Sequence, residues 1–275
     1  MTIVTLLSDF GSSDYHVAMV KAELLKRHNS VNIVDISHDV KPFNILEASF
    51  ILLNTYPYFP EGSIHLIGVD AEAHEYQKHL LIKQNNHYFI GADNGIFSLL
   101  DDAPKQEIIE IIHDKSLKTM SPMRDVFPDI VDKLLNNKSL KSIGKSMDKV
   151  NTWKRLMPDM SVLSEITGHI IYIDRFGNLI TDVSEKVFRE KAQERSFTIY
   201  MSSEKIKVIH QKYSDMLPKD PDGKGLAINA GKAMAVFNSI GHLEIALYRS
   251  DPKFGGSAAS LLGMKIGDSF KIIFE

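Results

Sequence analysis

The sequence predicts an α/β N-terminal domain with a parallel-type central sheet, followed by a smaller C-terminal all-β domain of barrel-like form. Three observations carry that prediction. Apolar runs at 5–7, 31–36 and 63–69 each stop at polar residues, and the first two lead into helical patterns, as buried parallel strands joined by helices do. Beyond Ile166 the pattern changes to short strands broken by Gly and polar turns, the texture of a small sandwich or barrel. Between the two lies a lysine-rich, weakly periodic stretch, 136–160, which contains the only Trp. The domains are therefore set at 1–150 and 166–275, with 151–165 as linker.

In chain order, the run Thr5 to Gly11 reads as a strand that ends at Ser8-Asp9. Tyr15 to Arg27 follows as a helix with Val17, Val20, Leu24 and Leu25 near one face and Ser12, Ser13 and Asp14 as candidate caps. A second strand, Val31 to Ile36, ends in Ser37-His38-Asp39. The next helix runs from Phe43 to Asn54, with Pro42 at its mouth and Ile45, Leu46, Phe50 and Leu53 inward. The strand Ser63 to Val69 ends, like the first, at a carboxylate, Asp70. After a polar loop, His79 to Gln84 and His87 to Gly91 form a hairpin around Asn85-Asn86. Asp93-Asn94-Gly95 is a tight-turn signal, Glu107 to Ile112 a strand and Arg124 to Leu135 a helix introduced by Ser121-Pro122. In the C-terminal domain the candidate strands are His169 to Ile173, Leu179 to Val183, Phe197 to Tyr200, Lys205 to Ile209, Ala233 to Phe237, Leu243 to Leu247 and Ser269 to Phe274.

Composition narrows the function. The formal charge is −3 over 275 residues, so no global field favours nucleic acid or an anionic membrane. No apolar run has the length of a membrane span, and the N-terminal apolar segment lacks the basic flank of a signal peptide, so a cytoplasmic protein is expected. Cysteine is absent, which excludes disulfides, thiolate nucleophiles and cysteine metal sites. The eleven histidines show no pair of the H-E-x-x-H kind, and no metal is expected.

Ligands of parallel α/β sheets bind outside the carboxyl ends of the strands, where Asp9 and Asp70 stand. Asp9 there can accept hydrogen bonds from a sugar diol, ligate a metal or cap the following helix. The turn Asp174-Arg175-Phe176-Gly177-Asn178 joins two strands and carries an acid, a ring and an amide within five positions, although Gly and Asn also suit a plain turn.

Six segments, in this order, resemble one family: Ser8 to Gly11, Val34 to His38, Tyr58 to Ser63, Asp93 to Gly95, Asp174 to Thr181 and Asn238 to Ala246. That family is the S-adenosylmethionine (SAM) hydroxide adenosyltransferases, or SAM hydrolases, relatives of the fluorinase and chlorinase. The resemblance implies an α/β domain, a C-terminal β-barrel domain and a homotrimer that binds an adenosyl ligand between neighbouring subunits, with no cofactor. It further implies that Asp9 binds the ribose hydroxyls, Phe43 and Phe176 wall the adenosyl group and Asn178 reads the adenine edge. Asp174 would hold the methionine ammonium and Ser239 the methionine carboxylate.

At the catalytic positions the resemblance is thinner. The hydrolases use an Asp, an Arg and a His to set water against the ribose C5′; Asp70 matches the first. Gln77 stands at the Arg position and Pro122 at the His position, two residues before Arg124-Asp125. Gln77 can orient water without charge, whereas Pro122 can neither accept a proton nor donate a hydrogen bond. His74, Glu75 and Lys78 are the nearest other polar groups. The halogenases carry Tyr where this chain has Asp70 and Ser where it has Met123, which places the chain on the hydrolase side. Two readings follow: a slow SAM hydrolase using Asp70 and Gln77, or a non-catalytic adenosyl-ligand binder that has lost the chemistry.

Overall fold

The computed structural model describes residues 2–28, 30–100, 104–112, 119–217 and 229–275. The chain forms two compact units, 1–154 and 155–275. In the first, the order is β1 (Ile3–Ser8), α1 (His16–Arg27), β2 (Asn32–Ser37), α2 (Ile45–Leu53), β3 (Ile64–Gly68), β4 (His79–Gln84), β5 (His87–Ala92), β6 (Glu107–Ile111), α3 (Pro122–Asp125), α4 (Phe127–Leu135) and β7 (Gly144–Ser146).

These strands form one sheet in the order β2-β1-β3-β5-β4-β6-β7. It is parallel through β2, β1, β3 and β5, and antiparallel beyond, where the β4–β5 hairpin and then β6 and β7 are added. The sheet is therefore mixed, its parallel half carrying the strand ends that bear Asp9 and Asp70. Successive residues of a strand point to opposite faces, and here both faces are covered. Leu6, Leu66, Leu81 and Ile90 pack under α1 and α4 through Val20, Leu24, Ile130 and Val131. Leu7, Ile67, Leu80, Ile82 and Phe89 pack on the other side against Ala48 and Leu52 of α2.

Several expectations are corrected. Tyr15, not Ser12, Ser13 or Asp14, takes the N-cap position of α1, and its side chain makes no capping bond. Leu25 and Leu46 are exposed, because the buried stripes run through Val20 and Leu24, and through Ile45, Ala48, Ser49 and Leu52. The helix expected from Phe43 begins only at Ile45: Phe43 has φ +63°, outside the helical region, and Asn44 caps by accepting from Glu47 N–H at 3.1 Å. The Arg124 to Leu135 helix is two helices, since Pro128 lacks an N–H and is tolerated only in a first turn. The weakly periodic stretch after 136 contributes the edge strand β7.

The second unit runs β8 (Glu165–Ile173), β9 (Leu179–Ser184), α5 (Glu185–Ala192), β10 (Phe197–Met201), β11 (Glu204–Ile206), β12 (Ile209–His210), β13 (Ala233–Phe237), β14 (His242–Leu247), α6 (Ala258–Leu262) and β15 (Ser269–Phe274). Its eight strands make a barrel-shaped sheet, β11-β10-β15-β8-β9-β14-β13-β12, in which β11 also approaches β13. The strand expected at Lys205 to Ile209 is split between β11 and β12. Ile170, Leu179, Val183, Ile199, Ile245 and Ile272 fill the interior, with Phe188 of α5 and Leu262 of α6 packed on them.

Candidate active site

Asp9 follows β1 directly, at the carboxyl edge of the sheet. It caps no helix. Its Oδ2 accepts the backbone N–H of Phe43 at 2.8 Å and lies 3.5 Å from the N–H of Asp70. One carboxylate thus gathers the ends of β1 and β3 and the loop before α2. Phe43 and Asp70 both have left-handed backbone, φ +63° and +45°, a conformation costly for residues with a Cβ. Asp70 is held from its other side as well: Asn94 Nδ2 donates to the carbonyls of Val69 and Asp70 at 3.0 and 3.1 Å. The Asp93-Asn94-Gly95 turn is what places Asn94 there.

The Phe43 ring is 71% exposed and the Asp70 side chain is also open to solvent. An uncovered ring beside two carboxylates suits a planar, hydroxyl-bearing, positively charged ligand. Gln77 is half-buried, and its Nε2 donates to the Lys78 carbonyl at 3.1 Å. Lys78 is drawn to Glu110 on β6, Nζ to Oε2 at 3.0 Å. His74 Nδ1 accepts the N–H of Tyr76, and Glu75 is exposed. Pro122 opens α3, and Met123 is buried with its sulfur over Gly68, where a Cβ would lie 2.3 Å from it. Arg124 and Asp125 form a two-pronged pair at 2.6 and 2.7 Å, which raises the arginine pKa and, with Thr119, lowers that of the acid.

In the second unit, the Asp174 to Asn178 turn is built by its own acid. Asp174 Oδ1 accepts the N–H groups of Phe176 and Asn178 at 2.9 Å each, and Oδ2 accepts Asn178 Nδ2 at 3.0 Å. Gly177 has φ +71° and lies against Ser257, the cap of α6; a Cβ there would meet Ser257 at 2.3 Å. The turn exposes the Phe176 ring by 65% and buries Asn178. Ser239 lies exposed in the β13–β14 turn, shaped by Asn238 Oδ1 accepting from Ile240 and His242.

Residues 4–144 match the SAM hydroxide adenosyltransferase N-terminal domain, and residues 168–271 match the C-terminal domain of the same family. The chain belongs to the SAM hydroxide adenosyltransferases. A relative in Methanocaldococcus jannaschii, named (R)-S-adenosyl-L-methionine hydrolase, is 30% identical over 100% of this chain and 97% of its own length. Another of that name in Thermus thermophilus is 27% identical over 99% and 100%. The crystal structure of an uncharacterised conserved protein from Thermotoga maritima shares the fold with a TM-score of 0.82 at 24% identity, covering 98% of this chain and 99% of that one.

One residue of this SAM hydroxide adenosyltransferase that sequence reasoning passed over is Glu244 on β14. It is buried, bonds Tyr213 OH through Oε1 and accepts Asn238 Nδ2 at 3.1 Å through Oε2. Burial raises its pKa, the charge of nearby Asp174 adds to that, and the bonds from Tyr213, Asn238 and Asn178 oppose it. The signal was available: a lone acid inside the otherwise apolar strand Leu243 to Leu247 needs partners.

Proposed function

We propose that the protein hydrolyses S-adenosylmethionine to adenosine and L-methionine. The observation that carries this reading is the convergence on Asp9 Oδ2 of the backbone N–H groups of Phe43 and Asp70, which gathers the acid matched to the ribose hydroxyls, the acid matched to water and an exposed ring. The names of the full-length relatives from M. jannaschii and T. thermophilus agree with it.

In the proposed reaction a water oxygen forms a bond to the ribose C5′ as the C5′–S bond breaks. The electron pair stays on sulfur, which becomes the thioether of methionine, and the water proton passes to Asp70 or to solvent. Asp70 orients the water and offsets the sulfonium charge, and Gln77 Oε1 accepts its second hydrogen. Asp9 holds the ribose hydroxyls, Phe43 and Phe176 flank the adenosyl group, and Asn178 reads the adenine edge. Asp174 receives the ammonium and Ser239 the carboxylate. The sulfonium is a good leaving group, so in-line positioning supplies much of the rate, and the reaction calls for no cofactor. With Gln77 and Pro122 in place of a cation and a base, turnover is slow, since general acid–base help is worth about 10²–10⁴-fold.

The assembly proposed is a cytoplasmic homotrimer with the nucleotide bound between neighbouring subunits. No helix among the described residues is long and apolar enough to cross a membrane. The deciding experiment is product analysis after long incubation of concentrated protein with S-adenosylmethionine. Adenosine and methionine in equal amounts, lost in Asp70→Asn, support the reading. Tight binding without products makes the protein a binder.

A further inference from the structure

His38 grips the turn that carries Asp9 at both ends. Ser8 Oγ lies 2.7 Å from His38 Nδ1, and the backbone N–H of Gly11 donates to the His38 carbonyl at 2.7 Å. Between these two points lie only Asp9 and Phe10, and Phe10 N–H donates to Ser8 Oγ at 3.4 Å. The ring is itself fixed from behind. His38 Nε2 faces Asp35 Oδ1 at 3.1 Å, and Asp35 Oδ2 is paired with Lys21 Nζ at 2.5 Å. With the Ser8 hydroxyl donating to Nδ1, the ring carries its proton on Nε2, which lies close to Asp35 without a well-aligned hydrogen bond to it. Ser8 is fully buried and His38 nearly so. This Ser-His-Asp set is therefore not a nucleophile with its base; nothing can reach Ser8 Oγ. Its contribution is geometric: it bonds the Ser8 to Gly11 turn at both ends, around Asp9, whose Oδ2 accepts from Phe43 N–H.

We propose that His38, packed against Asp35, is a positioning residue that fixes the Asp9 carboxylate for the ribose hydroxyls through its paired bonds to Ser8 and Gly11. The inference rests on the reading that Asp9 binds the ligand, and one arm of the test does not depend on that reading.

The first measurement is amide hydrogen exchange in the ligand-free protein. In Ser8→Ala and His38→Asn, the Phe43 amide should exchange about tenfold faster or more, because a bond to a charged acceptor is loosened, while core amides of β3 keep their protection. Unchanged exchange at Phe43 overturns the proposal. The second is a double-mutant cycle on S-adenosylmethionine affinity. Ser8→Ala should raise the dissociation constant about tenfold in the wild-type background and leave it unchanged in the Asp9→Ala background, because the two act through one group. Equal losses in both backgrounds mean that Ser8 acts independently of Asp9, and the proposal fails alone. If Asp9→Ala itself has no effect on affinity, the ribose role of Asp9 fails, and the exchange measurement still decides whether His38 sets the turn.

Discussion

Asp9 Oδ2 accepts the Phe43 amide proton at 2.8 Å, so the acid at the end of β1 holds in place the ring that the resemblance assigns to the adenosyl group. The same oxygen approaches Asp70 N, and both of its partners have left-handed backbone. Each such residue costs about 1–3 kcal/mol and persists where its surroundings fix it. Asp9 is one of the groups that fix them.

Asp9→Ala should weaken S-adenosylmethionine binding about ten- to a hundredfold, the equivalent of one hydrogen bond to a charged group at about 1.5–3 kcal/mol. Calorimetry measures it, with a thermal melt alongside. A collapse of the melting temperature at unchanged affinity would make Asp9 a purely structural tether.

Gln77→Ala should lower kcat about 2–12-fold, since a neutral hydrogen bond to water is worth about 0.5–1.5 kcal/mol, and leave KM nearly unchanged. Asp70→Asn should cost far more. Steady-state adenosine release separates the two, and a Gln77→Ala loss as large as that of Asp70→Asn would count against the ranking.

The buried chain Thr5–His65–His87 predicts acid lability. Thr5 Oγ1 lies 2.7 Å from His65 Nδ1, and His65 Nε2 lies 3.0 Å from His87 Nδ1. Burial, with some repulsion from His87, lowers the His65 pKa to about 3. Between that value and the ordinary 6.5, the unfolded chain binds a proton that the folded chain refuses. Stability contributed by the neutral ring is therefore full above pH 6.5 and falls as the pH drops, by at most about 1.4 kcal/mol per pH unit, until the folded state also protonates near 3. Urea unfolding of wild type and His65→Gln from pH 7 to 4 checks this: the wild type should lose stability more steeply.

Gly177→Ala should destabilise the second unit by about 1–3 kcal/mol, because its Cβ would press on Ser257 and its φ of +71° disfavours a side chain. Thermal unfolding reads the loss. A stability unchanged from wild type would mean that α6 moves away from the turn at no cost.

Much of this was legible in the residues. Apolar runs ending at Asp9 and Asp70 located the sheet edge, because side-chain periodicity and strand ends are local properties. The turn at Asp174 to Asn178 was equally plain, since Asp, Gly and Asn each suit one of its positions. What periodicity could not give were the stripes of α1 and α2: Leu25 and Leu46 fit the spacing yet face solvent, as each helix's rotation is set by the sheet beneath it. The mixed order β5-β4-β6-β7 likewise depends on pairings between distant segments.

The sequence by itself determined the two domain types, the family resemblance and which acids stand at strand ends. Only the tertiary structure decided what those acids do. Asp9 reaches across to Phe43 and Asp70, Lys78 is spent on Glu110, and His38 turns its two nitrogens to Ser8 and Asp35. The physical reason is that a hydrogen bond needs its partners within about 3–3.5 Å, and partners such as Ser8 and His38, 30 positions apart, or Asp9 and Asp70, 61 apart, are brought that close by sheet register and helix packing rather than by any local pattern.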